Sequence, residues 1–500
     1  MRTLLKGFVC TGNDIKRQAV LIENGNIAAV ESDIFGSCAA EKQYTFRNEI
    51  IAPGFIDAHG HSDMSLPAAP EGFSKRTQGV TAEIAGNCGL SAFPLTGKNR
   101  EHLLELYKIY QQNADWDDYR SYQEFLRRRQ CQLKLFALCG HNTLRGAVAG
   151  YEKEQLSESE LQEMQELLAR QLDAGSPGLS TGLLYTPGCF AGEDELLRLM
   201  RQLARSGKVY ATHLKSEGDG LLEALEQTLL LAETAGLQKV LISHFKTAGT
   251  ANWHKLDRAL ELFNRFRHKG MQLYIDRYPY VESQTQLSVT LPPPCDTMTD
   301  RKITEYLADC GNFAEMLNKL RTFRDQDYWK RMRLAGTTHP RWKHFAGKKF
   351  TEFAGDIPQT VMEILRHDAV NATLAAAGMS EENMLRILQL DFCMPGSDGN
   401  ALPPDYRFNR AHPRAFGTLP RFVRILLDQG TPLPQVCFRT STMAAEFFNL
   451  PGIGHIRRGF CADITVFDPE TIDSKADFSA PHTPAAGIIM TMLNGEAQFY

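Results

Sequence analysis

The spacing of hydrophobic positions divides this chain into two β-rich ends and a long middle of different rhythm. Ala19-Val-Leu-Ile-Glu23 and Ile27-Ala-Ala-Val30 flank Asn24-Gly25, a pair suited to the positive φ angles of a hairpin turn. The C-terminus echoes this: Ala462-Asp-Ile-Thr-Val-Phe467 and Ile488-Ile-Met-Thr-Met-Leu493 accompany a second Asn-Gly, Asn494-Gly495. The two ends, residues 1–52 and 456–500, predict one small β-sandwich built from both termini.

In the middle, strands alternate with helices. The stretch Ile50-Ile-Ala-Pro-Gly-Phe-Ile-Asp57 is too densely apolar to alternate, as a strand buried on both faces requires. Seven more follow: Val80–Ala85, Leu133–Leu138, Gly178–Thr181, Val209–Thr212, Val240–Ser243, Leu273–Asp276 and Leu390–Cys393. Helical patterns lie between them. Ser157 to Leu172 opens with a capping box, Ser157-Glu-Ser-Glu160, and Leu221 to Ala235 is apolar at helical spacing. The fold class is therefore α/β, with a (β/α)8 TIM-like barrel over residues 53–415 and a helical return segment over 416–455. More than a hundred residues, from about Pro279 to Leu388, separate the last two strands, too many for a simple connection. Leu291-Pro-Pro-Pro294 and the polar, aromatic segment to about Phe350 predict an inserted subdomain, about 285–350, placed as a lid.

Composition narrows the class without naming a function. The 500 residues carry a formal net charge of −4, which gives no bulk reason for binding nucleic acid or an anionic membrane. No apolar run reaches the length of a membrane span, and the N-terminus has no signal-peptide pattern. Eleven scattered cysteines do not form a disulfide framework, so a reducing cytoplasm is the expected compartment, for a monomer or small homo-oligomer.

The chemistry collects at predicted strand ends, which in such a barrel share one rim. His59 and His61 close the first strand; two residues apart on a strand, their imidazoles point to one side and suit a metal ion. The second strand ends in Gly86-Asn-Cys88-Gly89, the fifth in Thr212-His213-Leu-Lys-Ser-Glu217, the sixth in Ser243-His244-Phe-Lys246, and the eighth in Gly396-Ser-Asp398-Gly399. Taken singly, each has a structural explanation: a small buried thiol, a core histidine, an aspartate shaping a turn. Four histidines, a cysteine and an aspartate on one rim favour a metal site.

These motifs carry a resemblance. The Pro-Gly-Phe-Ile-Asp-x-His-x-His opening, Gly-Asn-Cys-Gly, Gly140-His-Asn-Thr-Leu-Arg145, Leu179-Ser-Thr-Gly-Leu-Leu-Tyr185, His244-Phe-Lys, Asp276-Arg-Tyr-Pro-Tyr280, Ser397-Asp-Gly and His412-Pro-Arg-Ala-Phe-Gly417 run over nearly the whole chain. Together with Gly459-x-x-Ala-Asp-Ile-Thr-Val-Phe-Asp468 they resemble the amidohydrolase superfamily and, within it, the N-acyl-D-amino-acid deacylases, or D-aminoacylases. The resemblance implies hydrolysis of the amide bond of small N-acyl-D-amino acids. It implies a tightly bound zinc ion on Cys88, His213 and His244, a second, weaker or vacant position at His59 and His61, and Asp398 as general base and acid. It also implies Lys246, Tyr278 and Arg414 as the grip on the substrate carboxylate, with His141 as a further substrate-binding residue. After Tyr280 the chain carries Glu282 and Gln284 where that family tends to have small residues.

Zinc on a thiolate and two imidazoles keeps an open position and lowers the pKa of bound water towards ~7, which suits attack on an amide. Two rivals are weighed. A cyclic-amide hydrolase of the hydantoinase or dihydroorotase type uses a carboxylated lysine on the fourth strand, and Ser176 to Gly182 holds none. A non-catalytic scaffold would have lost ligands or the aspartate, and all are present. For the side chain accepted, Glu282 argues against acidic groups if it faces the pocket; Arg277 and Lys215 argue the other way.

Overall fold

The computed structural model describes residues 2–12, 14–32 and 40–500. Eight parallel strands form its centre: Phe55–Asp57, Val80–Ala85, Lys134–Ala137, Gly178–Gly182, Val209–His213, Lys239–Ile242, Gln272–Arg277 and Cys393–Pro395. They are hydrogen-bonded as a three-stranded and a six-stranded ladder. The third strand serves both, because Lys134–Ala137 pairs with the second strand and its continuation Cys139–Gly140 pairs with the fourth. The first and eighth strands also meet. Ala58 N–H donates to the Pro395 carbonyl (3.0 Å), Asp398 N–H to that of His59 (2.7 Å), and Gly60 bridges Gly399 in parallel.

The eighth strand lies later than Leu390–Cys393. Helix Glu381–Gln389 runs up to Leu390, whose carbonyl accepts from Cys393 N–H (3.0 Å), so residues 390–392 are spent on the turn. Strand interiors are buried on both faces: every residue of Val80–Ala85 is buried, the carboxylate of Glu83 included. Ile56, Ile84, Leu138, Ala211 and Leu241 pack on one side with the helix Met443–Phe447, while larger Leu and Phe side chains fill the layer towards the surrounding helices. Helices Glu158–Asp173, with its Ser157 capping box, and Leu221–Ala235 stand where the pattern puts them.

The two chain ends join in one seven-stranded hydrogen-bonded sheet. Ile464–Phe467 pairs antiparallel with the end of Lys42–Pro53, edge to edge, so the ladder runs continuously from one terminus to the other. Both Asn-Gly hairpins form, with Asn24 and Asn494 at φ 50° and 49°. Lys42–Pro53 passes through Gly54 into the first parallel strand; a Cβ at Gly54 would lie 2.0 Å from Thr81 Oγ1, so only glycine fits there.

After the seventh strand, residues 282–377 form a separate layer. Strands Glu282–Gln286, Thr373–Ala377 and Met332–Gly336 make an antiparallel sheet. Helices Asp300–Ala308, Cys310–Phe323 and Ile357–Asp368 cover their own core around Leu307, Met316, Leu320, Trp329 and Leu365. The layer extends past the polar, aromatic stretch to its closing strand, the alanine-rich Thr373–Ala377, which pairs with both of the others. Among the described residues no helix is long and apolar enough to cross a membrane.

Candidate metal centre and substrate pocket

Three of the chemical residues sit where the backbone is strained. Cys88, His244 and Asp398 have φ of 52°, 35° and 49°, a left-handed region that non-glycine residues enter when the surroundings over-determine them. The surroundings are visible in Gly-Asn-Cys-Gly. A Cβ at Gly86 would lie 2.1 Å from the Leu138 carbonyl oxygen, and Asn87 Nδ2 donates to the Ile84 (2.8 Å) and Gly60 (3.2 Å) carbonyls. The turn therefore aims Cys88 inwards over the strand ends.

There its sulfur lies 3.6 Å from His59 Nε2 and 3.4 Å from His244 Nε2. Asp398 Oδ1 is 3.0 Å from His61 Nε2 and 3.7 Å from His59 Nε2. The donor atoms of His59, Cys88, His244 and Asp398 all fall within 4.8 Å of one another, and so do those of His213, Glu217 and His244. His213 has both ring nitrogens buried without a hydrogen-bond partner; the nearest carboxylate oxygen, Glu217 Oε2, is at 3.8 Å. A buried imidazole left bare on both sides is costly unless something else uses its lone pair. A metal ion does.

The electrostatics agree. Burial alone would raise the Cys88 thiol, but His244 and His59 pull it well below its ordinary value, to the thiolate that binds metals. Burial would also raise Asp398 and Glu217; Arg414 and His61 hold Asp398 well below the usual carboxylate range, and Lys246 and His244 do the same for Glu217. Against burial, which lowers them, the neighbouring negative groups hold His59 well above the usual imidazole range and His61 at about 9. Anions gathered around one enclosed point favour a cation there.

The supporting shell was less legible. Asp276 Oδ2 lies 3.0 Å from His59 Nδ1 and its Oδ1 accepts from the backbone N–H of His244 (2.9 Å), fixing the His59 ring and the main chain that carries His244. Glu217 Oε1 lies 2.8 Å from His244 Nδ1 and also accepts from the Lys246 ammonium. Such carboxylates orient imidazole ligands. Both residues stood within the motifs without a role; their signal is position, Glu217 four residues after His213 and Asp276 near the end of the seventh strand.

A third device had no sequence signal. Lys75, on the short helix Phe73–Arg76, is wholly buried. Its ammonium meets Asp57 Oδ2 (2.6 Å), Glu83 Oε2 (3.0 Å), Ser397 Oγ (2.8 Å) and the Gly399 carbonyl (2.9 Å). Glu83 in turn accepts from Ser62, and Asp57 from the Ser397 N–H. One cation thus ties together the loops that carry His61 and Asp398.

A cavity of about 550 Å³ opens above the donors. Lys246, Tyr278 and Arg414 all line it. Arg414, at the start of helix Arg414–Asp428, lies 2.8 Å from Asp398 Oδ2 and 4.7 Å over the Tyr278 ring, whose buried hydroxyl has no partner. His141 is not brought there. Its ring is fully buried, Nε2 2.8 Å from Glu195 Oε1, an oxygen shared with Arg145 Nε (3.1 Å); Asn142 is the residue of that motif that reaches the cavity. Nor do the three charges weighed for side-chain preference line it: Glu282 pairs with Arg333 (3.4 Å), Lys215 is exposed, and Arg277 is buried against the Tyr278 ring (4.2 Å).

Comparison with known proteins agrees with this geometry. A family model described as "Amidohydrolase family" matches residues 47–313. A D-aminoacylase of Alcaligenes xylosoxydans xylosoxydans is 30% identical, over 99% of this chain and 92% of its own. An N-acyl-D-glutamate deacylase from the same organism is 30% identical, over 98% and 91%. Among solved structures, an N-acyl-D-glutamate deacylase from Bordetella bronchiseptica, complexed with zinc and a phosphonate mimic of the tetrahedral intermediate, superposes with a TM-score of 0.82 at 27% identity, covering 99% of this chain and 96% of that one. Matched over nearly its whole length, the chain belongs to the amidohydrolase family, among the N-acyl-D-amino-acid deacylases.

Proposed function

We propose that this protein hydrolyses the amide bond of N-acyl-D-amino acids with zinc, releasing a carboxylate and the free D-amino acid. The observation that carries the reading is Asp398, lying between the metal donors and Arg414 inside the cavity. Cys88, His213 and His244 would hold the tightly bound ion, and His59 with His61 a second, weaker position. When bound, zinc supplies Lewis acidity, lowering the pKa of coordinated water and polarising a carbonyl.

The protein's own groups do the rest. Asp398, held as a carboxylate by Arg414 and His61, accepts the proton of the attacking water. It returns that proton to the amide nitrogen as the C–N bond breaks, so the amine departs neutral. Lys246, Tyr278 and Arg414 grip the substrate's α-carboxylate; Arg414 offers two parallel donors, and the free Tyr278 hydroxyl a third group. His141 is left out of that set because its ring is committed to Glu195. Preference for the D enantiomer is supported by the deacylases similar to this chain. The bonds joining the first and eighth strands support a closed (β/α)8 barrel, and the sheet of both termini, wrapped around Leu5, Val20, Ile51 and Val466, supports the small sandwich-like domain. The layer 282–377, walling the cavity, fits a lid.

A hydantoinase-type reaction is disfavoured by the fourth strand, Gly178–Gly182, which presents no lysine. The test is hydrolysis of paired N-acetyl-D- and N-acetyl-L-amino acids by zinc-loaded protein. Release of amino acid from the D forms alone is expected. Silence across the panel, with zinc bound, would overturn the reading.

A further inference from the structure

The deacylase reading leaves the amino-acid side chain unassigned, and strand Glu282–Gln286 supplies the wall against which that side chain would lie. Gln284 fixes this strand to the carboxylate-gripping end: its carbonyl accepts from Arg414 Nη2 (3.4 Å) and its Oε1 from the His412 N–H (2.9 Å). Thr285 Oγ1 is 3.4 Å from the Tyr185 hydroxyl, and the Tyr185 ring packs on His213 at 5.1 Å. Gln286 is the next residue on the same face as Gln284, about 6.6 Å further along a strand. An amino acid held by its α-carboxylate spans that distance with its side chain.

Gln286 lines the cavity, and its Nε2 is spent on the Val370 carbonyl (3.4 Å), leaving Oε1 buried without a partner. Beyond it, Ser288 donates to Asp300 Oδ1 (2.6 Å), and burial pushes the Asp300 carboxyl up to about 6. This wall therefore offers acceptors. The lysine and arginines of the cavity are all engaged. Lys246 and Arg414 belong to the metal end, Arg301 pairs with Glu101 (3.4 Å) and Glu305 (3.3 Å), and Arg410 donates to the Phe478 (2.5 Å) and Ser479 (2.7 Å) carbonyls. Burial and Arg301 hold His102 down to about 4, so it is neutral as well.

Resting on the deacylase reading, we propose that Gln286 sets the side-chain preference, and that the chain takes N-acyl-D-amino acids whose side chain ends in a neutral N–H donor, the carboxamide of D-glutamine, over the carboxylate of D-glutamate. The carboxamide NH2 meets the bare Oε1. A carboxylate sets acceptor against acceptor beside Asp300, and a thioether of the same length leaves Oε1 unpaired.

The test compares N-acetyl-D-glutamine, -D-glutamate and -D-methionine, three side chains of similar length, on zinc-loaded wild type, Gln286→Leu and Gln286→Arg. In wild type, kcat/KM for the D-glutamine substrate should exceed both others by about tenfold or more, the factor set by ~1.4 kcal/mol from one well-made hydrogen bond. Gln286→Leu should move the glutamine-to-methionine ratio about tenfold towards methionine, and Gln286→Arg should favour glutamate. Equal or faster turnover of glutamate or methionine by wild type, or an unchanged ratio in Gln286→Leu, overturns the subsite. Absence of turnover on every N-acetyl-D-amino acid overturns the deacylase reading instead, so the two failures are told apart.

Discussion

Replacing Lys75 by methionine keeps the volume and apolar stem of the side chain but removes the ammonium at the junction of Asp57, Glu83, Ser397 and Gly399. Two carboxylates with no exposed surface then face each other without a cation. Breaking a buried ion pair in this way costs about 3–5 kcal/mol, a large share of a typical total of ~5–15 kcal/mol. The cost also has a pH signature. Burial already raises Glu83 above its ordinary value, and Lys75 is the strongest influence holding it down. A carboxyl raised in the folded state contributes stability below its unfolded value and loses it as pH rises through the folded one. Without Lys75 the folded value climbs further, so the variant should be most destabilised at neutral pH and recover part of the loss towards pH ~5. Urea unfolding of zinc-loaded wild type and Lys75→Met at both pH values measures this. Because Ser397 and Gly399 flank Asp398, kcat of the folded fraction should fall as well. A loss below about 1 kcal/mol, the same at both pH values, would refute the claim that this ammonium holds the two loops together.

Other expectations can be checked alongside. Asp398→Asn should retain stoichiometric zinc by elemental analysis while kcat falls by roughly 10²–10⁴-fold, the usual share of general acid–base catalysis; retained turnover would remove Asp398 from the mechanism. Glu217→Gln, which loosens both His244 and Lys246, should weaken zinc binding by about 10–100-fold in a competition titration with a chelator dye. Arg414→Lys should raise KM more than it lowers kcat, since a lysine has one charge centre where the guanidinium offers two aligned donors; an unchanged KM would count against the carboxylate grip. Dialysis against a chelator should abolish hydrolysis, and added zinc should restore it.

Much of this protein was determined by sequence alone, for identifiable reasons. A strand buried on both faces is mainly apolar, so the parallel strands read as dense runs, and the chemical residues stand at or just after their ends. That is why Cys88, His213, His244, His59, His61 and Asp398 could be collected before any distance was known. The Asn-Gly hairpins were legible because few other pairs tolerate their φ angles. Tertiary structure alone decided what depends on partners distant in the chain. Lys75 looks like a surface lysine until Asp57, Glu83 and Ser397 arrive from three other segments. His141 looks like a site residue until Glu195, fifty-four residues on, claims its ring. The joining of the chain ends as one sheet rests on Ile464–Phe467 finding the edge of Lys42–Pro53, a pairing that no local period encodes. Patterning specifies which face of an element is buried; which polar groups meet inside is settled only by packing, because an unpaired charge there costs more than any local propensity contributes.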